Sequence, residues 1–189
     1  ILTEWIQVKQ GKVAMNITTF PLQPLLDTIA KNRSTYQQKG INLEVTSAEG
    51  INVKTDRALT LFMINTLCDN ARKFTPSGGT VSITVDSDDN VVEISVKDTG
   101  CGLSEDNVDK INNSKVFRVS SEQDTDVSTT TDGKGFGFGL MNCKGIIGQM
   151  KKLSNRFQCC DFGVDSEEGK GSRFWFRLPR VLLVFAVIF

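Results

Sequence analysis

Hydrophobic and polar positions change period several times along the chain, and each change marks an element. Val13 to Phe20 reads as a strand, Leu22 to Lys39 as a helix entered through Pro21 and Pro24 and ended by Gly40, and Ile41 to Thr46 as a second strand. The order β, α, β predicts an α/β layer structure. Asp56 stands where an N-cap opens a long helix that runs to about Phe74 and is closed by Pro76, Gly78 and Gly79. In that helix Ile64, Leu67, Cys68 and Ala71 recur at i, i+3, i+4 and i+7 as a core stripe, while Thr66, Asn70 and Lys73 share the opposite side. Strict alternation of Val81, Ile83 and Val85, then Val92, Ile94 and Val96, joined by Ser87 to Asn90, predicts a hairpin with one buried face. From Leu103 to Thr131 the pattern dissolves into polar residues, apart from Val116, Phe117 and Val119; such a stretch inside a compact domain is a functional lid or a disordered segment. Helical spacing returns over Phe138 to Met150, and closing strands are expected near Phe157 to Val164 and Ser172 to Leu178.

Composition narrows this picture. A length of 189 residues suits one well-filled core, and 39% hydrophobic with 23% charged residues is the balance of a soluble globular protein. Twenty-two basic and 22 acidic residues cancel, so no nucleic-acid or membrane-surface partner is expected and any anionic ligand needs a local site. The absence of histidine removes His triads, His metal sites and His acid/base catalysis. Cys68, Cys101, Cys143, Cys159 and Cys160 are scattered without a Cys-x-x-Cys pair and read as reduced cytoplasmic thiols. Ile1 to Gln10 does not read as a signal peptide. The nine apolar residues Val181 to Phe189 fall short of the ~20 that span a bilayer; they read as a sequence boundary or as a terminal buried strand.

Two glycine-rich stretches carry candidate chemistry. Asp98-Thr99-Gly100-Cys101-Gly102 presents a carboxylate at a strand end, where glycine admits a flat ligand and the carboxylate accepts from an exocyclic amine. A tight turn explains the same residues. Gly133-Lys134-Gly135-Phe136-Gly137-Phe138-Gly139 runs into the Leu140 to Met150 helix, so backbone N–H groups and the helix start form a cradle for phosphates. Neither a Rossmann fingerprint nor a P-loop can be placed on the chain.

Together these residues resemble the GHKL, or Bergerat-fold, ATPase superfamily and, within it, the catalytic domain of sensor histidine kinases. Asn70-Ala71-Arg72-Lys73-Phe74-Thr75 is similar to the N box, Asp98 to Gly102 to the G1 box, Phe117 to the F box and Gly135-x-Gly137-x-Gly139-Leu140 to the G2 box. Gly169-Lys170-Gly171-Ser172-Arg173-Phe174, followed by Leu178-Pro179, is similar to the closing element. The resemblance implies an α/β fold, an α+β two-layer sandwich with a mixed, largely antiparallel sheet of about five strands against about three helices. It further implies ATP and Mg²⁺ as ligands, with Asn70 as metal ligand, Lys73 on phosphate, Phe74 against adenine, and Asp98 on the adenine amine with Ser172 assisting through water. Gly100, Gly102, Phe117, Gly135, Gly137, Gly139 and Leu140 would complete the nucleotide site, and residues from about Ser104 to Phe138 would be the ATP lid.

The implied organisation is a possible remnant of an upstream dimerisation helix over 1–12, the catalytic domain over 13–180 and an unassigned apolar tail over 181–189. The implied partners are ATP, a histidine-bearing dimerisation domain of the same kinase and a downstream response regulator. The full-length protein is expected to be a homodimer whose catalytic domain is the cytoplasmic part of a membrane-anchored sensor. Without histidine the chain cannot be its own phosphoacceptor. Two departures stand out: Thr66 occupies the position one turn before Asn70 where relatives carry Asn or, in hydrolysing members, Glu, and a long segment from Gly148 to Gly163 replaces a short turn. The rival readings are another GHKL ATPase, which Thr66 argues against, and a nucleotide-sensing pseudokinase.

Overall fold

The structure, a computed structural model, describes residues 2–12, 14–113 and 138–183. Seven strands form its sheet: β1 (Ile17–Pro21), β2 (Asn42–Val45), β3 (Asn52–Asp56), β4 (Thr80–Ser87), β5 (Val91–Asp98), β6 (Asp161–Glu167) and β7 (Gly171–Val181). Their order is β1-β3-β7-β5-β4-β2 with β6 also on β7, and every pairing is antiparallel except β2 with β4. The expected class holds, with seven strands where about five were expected.

Period two places Val81 and Ile83 of β4, Val92, Ile94 and Val96 of β5, and Phe174, Phe176 and Leu178 of β7 on one buried face. Helices cover that face. The expected helix over Leu22 to Lys39 divides into α2 (Gln23–Ala30) and α3 (Arg33–Gln38), with a tight turn closed by Asn32 N–H donating to the Ile29 carbonyl at 3.0 Å. Asparagine competes poorly inside a helix, and the break lets Tyr36 turn into the core, where its hydroxyl donates to the Cys68 carbonyl at 3.2 Å. Strand β3 was not anticipated, because two of its three buried positions, Val53, Thr55 and Asp56, are polar.

Helix α4 (Arg57–Phe74) runs as expected: Asp56 Oδ1 caps it by accepting from Leu59 N–H at 3.0 Å, and Met63, Ile64, Leu67, Cys68 and Ala71 are buried. Helix α6 (Phe138–Met150) packs beside it. The short α1 (Leu2–Lys9) docks on α6 through Trp5, which is buried and donates from Nε1 to Asn142 Oδ1 at 2.9 Å.

Helix α5 (Glu105–Asn113) corrects the expectation of a patternless polar stretch beginning at Leu103. The Asn112 carboxamide binds both backbone groups of Val164, donating to its carbonyl and accepting from its N–H, each at 2.9 Å. The amide thus takes the place of a neighbouring strand at the free edge of β6. Lys144 of α6 donates to the Ile111 carbonyl at the end of α5. The Gly148 to Gly163 segment has a packing role: a 3₁₀ turn (Asn155–Cys159) buries Phe157, Cys160 is buried after it, and Lys151 pairs with Asp161 at 3.0 Å.

Candidate functional site

The last turn of α4, the turn after β5, the start of α5, the start of α6 and the first residues of β7 enclose a cavity of about 280 Å³. Helical spacing on α4 brings Asn70 and Lys73 to it from outside the core stripe, while Phe74, seven residues after Leu67, reaches it from the end of that stripe. Among the described residues the buried Asn70 Nδ2 has no hydrogen-bond partner, an arrangement that costs about 1–3 kcal/mol until something accepts from it. The Lys73 ammonium lies 5.1 Å from the centroid of the Phe74 ring, a cation–π contact at the cavity margin.

Asp98 ends β5 on the same face as Val92, Ile94 and Val96 and is only 5% exposed. Its Oδ1 accepts from Gly100 N–H at 2.8 Å and from Ser172 N–H at 3.4 Å, which leaves its other oxygen for the cavity. Burial pushes its pKa up, and the two N–H donors offset part of that rise.

The neighbouring glycines also allow close approaches within the fold. A Cβ on Gly102, whose φ is +67°, would lie 2.0 Å from the Glu167 carbonyl oxygen, and one on Gly100 would lie 2.4 Å from that of Phe74. Their missing side chains let α4, the turn after β5 and the β6–β7 turn meet around Asp98. Gly102 lines the cavity and Gly100 does not.

Ser172 and Leu140 also line the cavity. Gly139 does not: it lets α6 approach α4, where an added Cβ would meet the Thr66 methyl at 2.7 Å. Thr66 therefore faces α6 and is not among the cavity residues. Phe117, Gly135 and Gly137 lie outside the described residues, as does the expected lid beyond Asn113. Sequence reasoning missed Cys101, Leu103, Ser104, Asn107, Glu168 and Phe174, which complete the lining. Phe174 was findable, since it shares the face of Ser172 two residues along β7. Leu103, Ser104 and Asn107 depend on α5, whose formation the sequence pattern does not signal.

The comparisons with known proteins identify the family and the fold. A family model described as "Histidine kinase-, DNA gyrase B-, and HSP90-like ATPase" matches residues 55–182. The adaptive-response sensory kinase SasA of Gloeothece citriformis is 28% identical over 185 residues, covering 95% of this chain and 43% of that protein. SasA of Rippkaea orientalis is 31% identical over 155 residues, covering 81% of this chain and 35% of that protein. The chain thus spans less than half the length of these relatives. Among solved structures, the catalytic domain of the histidine kinase ThkA matches with a TM-score of 0.63 at 22% identity, covering 87% of this chain and 96% of that one. Full-length ShkA in complex with AMPPNP matches with a TM-score of 0.67 at 23% identity, covering 95% and 36%. At these identities the two structures establish the fold. Among the described residues no helix is long and apolar enough to cross a membrane. With its ordered motifs, its fold and its cavity in agreement, the chain belongs to the histidine kinase-, DNA gyrase B- and HSP90-like ATPase family, as an ATP-binding catalytic domain of the sensor-kinase type.

Proposed function

We propose that the chain holds Mg-ATP in the cavity between α4, α5, α6 and β7 and presents its γ-phosphoryl group to a histidine on a separate helical domain. The reading is carried by two incompletely satisfied polar side chains at one cavity, the backbone-held Asp98 carboxylate and the orphaned Asn70 amide. Asp98 accepts from the adenine amine, and Phe74 and Phe174 offer it aromatic surface. Lys73 meets the phosphates at the open side. The Asn70 Nδ2 donates to a phosphate oxygen, and its Oδ1 is a neutral oxygen of the kind Mg²⁺ takes beside waters and phosphates. Magnesium bound there would neutralise charge on the phosphates. Phe117, Gly135 and Gly137 belong to the same site in this reading.

The chain's own work is positioning and electrostatic stabilisation, because an incoming neutral imidazole carries a free lone pair and needs no base from this domain. Water does need one, and Thr66, turned toward α6, supplies none. The domain therefore acts within a longer homodimeric sensor, with its catalytic part on the cytoplasmic side and a response regulator downstream.

The test is transfer in trans from radiolabelled ATP to the isolated histidine-bearing helical domain, read as acid-labile phosphate. Transfer with feeble hydrolysis, both lost in Asn70→Ala, is expected. Brisk hydrolysis without transfer would make the chain an ATPase, and nucleotide binding with neither activity would make it a pseudokinase.

A further inference from the structure

We infer that Ser166 of β6 is a specificity-determining positioning residue: it consumes the hydroxyl proton of Ser172 and so turns Ser172 into a hydrogen-bond acceptor toward the base end of the cavity. The inference rests on the reading that a nucleotide base lies against Asp98.

The assignment follows from counting protons. A serine hydroxyl has one proton to donate and two lone pairs to accept with. Ser166 Oγ lies 2.8 Å from the Gly171 carbonyl oxygen, which only accepts, so the Ser166 proton goes there. Leu103 N–H donates to Ser166 Oγ at 2.8 Å and fills one lone pair. The third contact, 2.9 Å from Ser166 Oγ to Ser172 Oγ, then has one direction left: Ser172 donates and Ser166 accepts. Ser166 is saturated, and its polarity reverses only if one of these bonds breaks.

Ser172 lines the cavity with Asp98, and with its proton committed it offers lone pairs alone. Asp98, whose Oδ1 is occupied by two N–H donors, likewise offers an acceptor. Two acceptors at one end of a pocket favour a base edge bearing an amino group and disfavour one bearing a carbonyl, which would meet lone pair against lone pair. The same holds where a water stands between Ser172 and the base, because that water must give a proton to Ser172. The Ser166 hydroxyl itself does not line this cavity and acts through Ser172.

The experiment is calorimetric binding of ADP and of inosine diphosphate, which carries a carbonyl in place of the 6-amino group, to the chain and its variants. The parent should prefer ADP. Ser166→Ala frees the Ser172 proton and should lower the ADP-to-inosine-diphosphate affinity ratio by ~3- to 10-fold. Ser172→Ala should lower it similarly, the double variant no further, and Ser166→Thr should restore it. If Ser166→Ala does not fold, Ser166→Cys, with a thiol that is a weak donor and acceptor, is read in the same way. Equal weakening of both nucleotides in Ser166→Ala, or an undiminished Ser166→Ala effect in the Ser172→Ala background, overturns the inference. A parent without preference, and indifferent to Asp98→Asn, overturns instead the placement of the base on which it rests.

Discussion

Glu93 and Asp98 lie on one strand, on opposite faces of one sheet, and the protein treats their charges in opposite ways. Glu93 faces outward from β5 and is gripped by Arg177, whose Nε donates to Oε2 at 2.8 Å, and by Arg173 through Oε1. Burial pushes the Glu93 pKa up, but the two guanidinium groups outweigh it and hold the carboxyl below its ordinary value. Asp98 faces inward, has no basic partner among the described residues, and is left with a raised pKa by burial. A carboxylate with its cations in place fastens strands together. One held only by backbone N–H groups at a cavity is poised for a ligand's donor, and such perturbed groups cluster at functional sites.

The sharpest way to break this comparison is Asp98→Asn. The amide oxygen would take over the bonds from Gly100 and Ser172 N–H, turning the NH₂ toward the cavity, so an acceptor becomes a donor. Loss of a charge-assisted hydrogen bond predicts about 10- to 100-fold weaker ADP binding, measurable by calorimetry. The fold should survive. Wild-type affinity in this variant would remove Asp98 from the site.

Glu93→Ala should do the reverse. It leaves the Arg173 and Arg177 side chains without their shared partner, although Arg173 keeps Asp165 at 3.1 Å. The arginines are 30% and 45% exposed, so solvent screening limits the loss to about 1 kcal/mol of stability in urea unfolding. ADP affinity should not change. A drop in affinity comparable to that of Asp98→Asn would mean that the two faces of β5 are coupled.

How much of this contrast was legible in the sequence depends on how local each cause is. Helix α4 and the β4–β5 hairpin were readable because their periods of 3.6 and 2 lie within single elements. Asn70, Asp98 and Ser172 were readable because short motifs flank them, and the cavity brings all three together. The glycines have a second use that was not legible: Gly100 and Gly102 make room for the carbonyls of Phe74 and Glu167, segments whose meeting no local pattern shows. Helix α5 was hidden because its anchor is the Asn112 amide on Val164, 52 residues away, with Ile111 its only fully buried apolar residue. The Glu93 clamp was hidden for a like reason, since it depends on the register that sets Glu93 opposite Arg177.

The smallest expected effect is a difference in sign with pH. For Asp98 the folded pKa is raised above the unfolded value, so between those two values the folded chain binds more protons than the unfolded one. Its contribution to stability is therefore greatest below the unfolded pKa and declines as pH rises through the folded one. For Glu93 the folded pKa is lowered, so its contribution is present above the unfolded pKa and is lost as pH falls through the folded one. Unfolding free energies of the parent minus those of Asp98→Asn, measured through the carboxylate range, should fall with rising pH, while the parent minus Glu93→Ala should rise. Saturating ADP should flatten the first slope, because a donor from the base favours the ionised carboxylate and draws its pKa back down. Slopes of the same sign would dissolve the comparison, and an Asp98 slope unmoved by ADP would place the nucleotide's donor elsewhere.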